Sequence, residues 1–203
     1  MKKILIYVAL LGGCLMGMNS CELFGLSYAY SFQNEKASDF SQIQCNAMEW
    51  IESRRNIDMS LQYEAIMRAG VDSIYRDTTN SYTFLLLTDE GWDDYLTSTK
   101  ASSLQEISPV ELRSYILGYI TYGVYTVKDV DVPLYVPTLG KYTMRYYKCI
   151  VAPTSSQNLN SFYCAWWFGE GISFQNRSCI TSNLTVTNGV MHIISQRLIV
   201  KTK

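Results

Sequence analysis

The hydrophobic pattern changes period part-way along the chain, and this limits the fold more than any other feature. Before Gly123 most apolar residues recur at spacings of three and four. After it, short aromatic or β-branched runs alternate with turn residues. Helical spacing gathers apolar side chains on one face, whereas a strand sends neighbours to opposite sides. From Ser38, Phe40, Ile43, Ala47, Trp50 and Ile51 share one helical face, with Cys45 roughly opposite and outside the core. A second helix is expected from about Ser60 to Ala69, burying Ile66 and Met67 and ending at Gly70 as a left-handed cap. Tyr82 to Leu87 is rich in strand formers and runs into Thr88-Asp89-Glu90, a hydroxyl cap with carboxylates at a positive helix end. Ser108-Pro109-Val110-Glu111 is the strongest local signal: a serine cap, proline at the first helical position and glutamate three residues after the cap. Its helix turns Leu112, Tyr115, Ile116 and Tyr119 inward and ends before Gly123. Lys141 to Tyr147, Phe162 to Phe168 and Val190 to Ile194 then read as strands. Helices first and sheet later make an α+β fold.

The first twenty residues follow other rules. Lys2 and Lys3 precede a charge-free stretch from Ile4 to Ser20, the layout of a secretory signal. The stretch is shorter than the roughly 20 apolar residues a spanning helix needs, and Gly12, Gly13 and Gly17 interrupt it. It ends at Leu11-Gly12-Gly13-Cys14 and then at Met18-Asn19-Ser20-Cys21-Glu22. Both resemble the lipobox of bacterial lipoproteins, whose cysteine is acylated and becomes the first mature residue. Cys21 is favoured because the acidic, aromatic sequence begins there, and Cys14 is the alternative. The expected organisation is a signal segment over 1–20, a tether over 21–37 and one domain over 38–203. The expected location is outside the cell's inner membrane, lipid-anchored to the outer membrane and surface-exposed. The lipoprotein modification adds several acyl chains, which makes such an anchor firm.

Charge narrows the partners. The formal net charge is −1 and no Lys/Arg cluster stands out, which argues against a nucleic-acid partner. Tyrosine, with 16 copies, suits antiparallel sheets and amphipathic contact surfaces. Cys45, Cys149, Cys164 and Cys179 lie in the expected mature domain, where an exported compartment permits disulfides in three pairings. Cys149 and Cys164 flank a turn-rich segment from Pro153 to Ser161, as hairpin partners would, and buried free thiols are the alternative. The spacings fit no zinc pattern and the chain holds a single histidine, so no metal or other cofactor is expected.

Three segments, in order, resemble the fasciclin domain of extracellular adhesion proteins. Tyr82 to Trp92 is similar to that family's first signature, a strand entering a Thr-Asp/Asn-Glu helix start. Leu112 to Thr126, ending in Tyr122-Gly123-Val124-Tyr125-Thr126, resembles the central helix and its Gly-x-Tyr-Thr turn. Thr187 to Ile194, with Asn188-Gly189-Val190-Met191-His192, resembles the second signature, and Leu198 sits at the family's closing apolar position. The family's central Tyr-His pair is replaced by Gly118-Tyr119, and the stretch 145–178 is longer than usual and reads as an insert. The resemblance implies a wedge-shaped β-sandwich flanked by N-terminal helices. It also implies a non-catalytic surface module for adhesion or recognition, binding a protein or glycan. A structural accessory subunit of an envelope or glycan-uptake complex is the alternative.

Each signature also has a purely structural role to offer. Thr88, Asp89 and Glu90 form a helix start, Asn188-Gly189 a turn that needs glycine's positive φ, and His192 a hydrogen-bonded strand residue. No nucleophile elbow frames His192, and the adjacent Asp93 and Asp94 cannot share a helix face, so no enzyme is expected. Asn176 and Asn183 carry a glycan-acceptor pattern that is incidental in a bacterial lipoprotein. Tyr163, Trp166 and Trp167 are the candidate partner-binding residues. Neighbouring strand residues face opposite sides, so one of the two tryptophans should be exposed.

Overall fold

The structure, a computed structural model, describes residues 43–148, 162–167 and 176–199. Among the described residues three helices come first: α1 (Ala47–Ser53), α2 (Ser60–Ala69) and α3 (Asp72–Arg76). Strand β1 (Tyr82–Leu87), helix α4 (Asp89–Thr99), helix α5 (Pro109–Leu117) and strand β2 (Ile120–Tyr122) follow. Apart from short 3-10 turns at Leu104–Glu106 and Val127–Asp129, the other described elements are strands: β3 (Leu134–Pro137), β4 (Thr143–Lys148), β5 (Phe162–Trp167), β6 (Arg177–Ser178), β7 (Thr181–Val186) and β8 (Gly189–Ile194). The class is α+β. Among the described residues no helix is long and apolar enough to cross a membrane.

The caps explain where helices begin. Asn46 accepts the Glu49 N–H, and the Glu49 carboxylate accepts the Asn46 N–H, a reciprocal box that opens α1. Among the described residues the first helix therefore starts at Ala47, and Ile43 to Asn46 before it are not helical. Ile43 precedes it in a segment whose N–H bonds the Thr185 carbonyl, and Phe40 lies outside the described residues. Helix α2 has the expected bounds and the left-handed Gly70 cap, but Met67 is 45 % exposed. Its buried side carries Gln62, Ala65, Ile66 and Ala69 instead. Ser108 accepts the Glu111 N–H with Pro109 at the first position of α5. That helix stops at Leu117, and Tyr119 enters the core just beyond it.

Among the described residues two four-stranded sheets form the rest. The first has the order β2-β1-β8-β7, and its central pair, β1 and β8, is parallel from Tyr82↔Gly189 to Leu87↔Ile194. Every residue of both strands is buried. Covering on both faces is why these runs are mostly apolar and not alternating, with Thr83 and His192 as buried polar exceptions. The second sheet, β3-β4-β5-β6, is antiparallel throughout. Here sides alternate: Met144, Tyr146, Cys164 and Trp166 are buried, whereas Tyr147, Tyr163 and Trp167 are half-buried. The sheets meet where the Phe162 ring stacks on His192 at 3.9 Å and the Thr121 hydroxyl bonds the Tyr146 phenol at 3.0 Å.

The sequence reading of 145–178 as an insert needs correcting. β4 and β5 are the two inner strands of the second sheet, so part of that stretch is scaffold. Cys149 and residues 150–161 and 168–175 lie outside the described residues.

Candidate functional site

The signature residues frame the first sheet. At one end of β1, Thr88 donates its N–H to the Ile194 carbonyl at 3.1 Å and caps α4 through its hydroxyl. Asp89 reaches across to accept the Leu61 N–H at 2.7 Å, closing the first turn of α2. Glu90 is exposed. At the other end, the buried Asn188 amide accepts the Ala47 N–H at 2.9 Å and donates to the Tyr75 carbonyl at 2.8 Å. One side chain thus holds the start of α1 and the end of α3 against the β7–β8 turn. The next residue, Gly189, has φ +144°.

Gly123, Tyr125 and His192 converge in the middle. The Thr83 hydroxyl donates to the Gly123 carbonyl at 2.8 Å and accepts the Tyr125 N–H at 2.9 Å. The His192 Nε2 lies 2.8 Å from the Tyr125 carbonyl, and its Nδ1 accepts the Asn183 N–H at 3.2 Å. A carbonyl can only accept and a backbone N–H can only donate, so the ring is neutral with its proton on Nε2. The Asn183 side chain, in a left-handed backbone position (φ +62°), accepts the Val127 N–H at 2.9 Å. This polar seam pins residues 123–127 to the sheet and leaves Tyr122 and Val124 exposed on either side of Gly123.

Burial lowers the His192 pKa to about 4, with the Tyr125 hydrogen bond a smaller opposing effect. The unfolded chain binds the proton with a pKa near 6.5, well above the folded value. Neutral His192 therefore contributes its full stability above pH 6.5, and that contribution is lost as pH falls through about 4. The slope is about 1.4 kcal/mol per pH unit, or about 3 kcal/mol in total. His192 is the chain's only histidine, so its ring proton resonance is identifiable without mutation. It should titrate near pH 4 in the folded protein, and a midpoint above 6 would remove this account.

Two tryptophans on one strand part company. Trp166 is buried, donates its indole N–H to the Gly118 carbonyl at 2.7 Å and stacks on Tyr142 at 4.2 Å. It is a core residue, and its candidacy as a partner-binding side chain is withdrawn. Trp167 points the other way, half-buried, with Tyr135 edge-on at 5.0 Å and itself 50 % exposed. Tyr163 shares that outer side and stacks on Tyr147 at 5.2 Å. Gly118 stands where a side chain would strike the Tyr142 ring at 2.7 Å, so the departure from the Tyr-His pair admits the Tyr142–Trp166 stack.

Sequence reasoning missed Gln62, Thr83 and Asn183. Gln62 is buried and its side-chain oxygen accepts both the Leu87 N–H and the Trp92 indole N–H, each at 3.0 Å. Only its place on the apolar face of α2 pointed to such a role. Among the described residues no group of three or more His, Cys, Asp or Glu side chains is placed to hold a metal ion. Cys14 and Cys21 lie outside the described residues.

The fasciclin-domain profile matches residues 58–200, well over half of the chain. The protein belongs to the fasciclin-domain family. Fasciclin domains are commonly cell-adhesion modules and are generally non-catalytic. Among solved structures, the chain is similar to a FAS1 domain pair from the insect cell adhesion molecule fasciclin I. The identity is 15 % and the TM-score 0.58, covering 76 % of this chain and 51 % of that one. At that identity the likeness speaks for the fold, and this fasciclin-domain chain spans about half the length of the insect pair. No curated protein matches it.

Proposed function

We propose that the protein is a non-catalytic recognition module, exported and tethered to the outer membrane by acylated Cys21, that binds an extracellular or envelope protein or a glycan. Cys14 is the alternative lipid site. The observation that carries the binding surface is the outer side of the second sheet, where Trp167, Tyr135 and Tyr163 offer aromatic faces. Such rings combine a large apolar area with a polar edge, a composition suited to sugar rings and to interface anchors. His192 speaks for a non-catalytic role, since both ring nitrogens are hydrogen-bonded to backbone and neither is left to move a proton. Tethering supplies avidity: many copies on one surface hold a partner that each binds weakly.

Membrane vesicles bearing the full chain are to be tested for retention on immobilised glycans and envelope proteins. Trp167→Ala is expected to lower retention at least tenfold while leaving the thermal transition nearly in place, and Cys21→Ser to release the protein from the vesicles. Unchanged retention in the Trp167 variant removes this surface from the proposal. Lipid labelling that persists in Cys21→Ser and vanishes in Cys14→Ser moves the anchor.

A further inference from the structure

Cys164 and Cys179 are brought together at the point where the chain leaves one sheet for the other. Cys164 is buried on β5, opposite Arg177 of β6, and its thiol lies 3.8 Å from the Arg177 carbonyl. Cys179 follows β6 directly, and its N–H continues the ladder by donating to the Phe162 carbonyl at 2.9 Å. The two cysteines are thus diagonal neighbours on the same side of adjacent strands. The next residue, Ile180, already bonds to the other sheet, its N–H donating to the Ile193 carbonyl at 2.8 Å.

We propose that Cys164 and Cys179 are a disulfide-forming pair that locks the crossover between the two sheets. Diagonal neighbours in an antiparallel pair have Cα atoms roughly 7–8 Å apart, and a disulfide spans about 4.4–6.8 Å. Closure therefore needs a shift of about an ångström. β6 contributes only Arg177 and Ser178 and lies at the sheet edge, so it moves without breaking an inner ladder. The oxidant is a disulfide reagent, either a small-molecule disulfide or a thiol–disulfide oxidoreductase. One cysteine thiolate attacks the reagent's S–S bond, forming a mixed disulfide and releasing one thiol. The second thiolate then displaces the other, so two electrons and two protons leave the protein and the reagent becomes two thiols. In the finished fold Cys164 is buried and Cys179 half-buried. The exchange accordingly takes place as the edge strand docks, while both sulfurs still meet the reagent.

The full chain, refolded from urea in a mixture of reduced and oxidised glutathione, is digested without reduction and mapped by mass spectrometry. The expected product joins the peptide of Cys164 to that of Cys179. Reduction should separate them and lower the melting temperature of the intact protein by several degrees. Cys179→Ser should melt at one temperature with or without reductant, and the wild-type map stands if that variant fails to fold. Recovery of both cysteines as free thiols, or of either one joined to Cys45 or Cys149, overturns the proposal.

Discussion

Alanine in place of Gly189 is expected to cost more than about 4 kcal/mol of folding free energy, enough to leave little folded protein. The methyl group would sit 1.9 Å from the Tyr82 carbonyl oxygen and 2.8 Å from two further backbone atoms of the same residue. Backbone cannot swing aside as a side chain can, so β8 would have to part from β1 at the first rung of the parallel pair. The φ of +144° adds strain of its own for an L residue. Gly70→Ala is the control: its φ is +63° but nothing lies within 4 Å of the new atom. It should cost about 1 kcal/mol, the conformational price alone. Urea unfolding of the two variants separates close approach from φ, and equal losses would show that contact with Tyr82 is not what fixes Gly189.

Trp166→Ala is expected to cost about 3–5 kcal/mol, the range for large aromatic side chains removed from a core. The indole fills the space between α5 and the second sheet, with Tyr142 stacked on it and Tyr119 and Tyr115 edge-on at 5.0 and 5.8 Å. Its removal also leaves the Gly118 carbonyl without its 2.7 Å donor. Trp167→Ala, one residue on and facing outward, should cost about 1 kcal/mol, since it gives up chiefly the Tyr135 contact. Similar losses in the two variants would mean that the outer side of the second sheet is covered, and the binding surface proposed above would go with it.

The fold was legible wherever local chemistry and tertiary packing agree. Thr88, Ser108 and Gly70 are caps in sequence and caps in space. Tyr82 to Leu87 is buried at every position, and apolar but for Thr83, because both its faces are covered. The misreadings have a common physical origin. Helical spacing does not see a cap, so Ile43 joined a helix that Asn46 begins later. Nor does it see what covers a face, so Met67 looked buried. β2, β3 and β6 hold two to four residues each, too few for a period to register, and they exist because a neighbouring strand offers its edge. In the site, the turn chemistry of Asn188-Gly189 was visible. The double hydrogen bond of the Asn188 side chain was not, because its partners at Ala47 and Tyr75 are brought there only by the folded chain.

The parallel pairing of β1 with β8 has a consequence for the time at which this protein can become itself. The two strands lie roughly a hundred residues apart along the chain, so the centre of the first sheet is a contact of high sequence separation, the kind that slows folding. Helices α1 to α5 all precede β8, yet the Asn188 clamp on α1 and α3 and the His192 anchor of the 123–127 loop arrive only with that last strand. The first sheet therefore closes only when residues 189–194 are available, whereas all four strands of the second sheet precede them. The late strand sets when the first sheet can close.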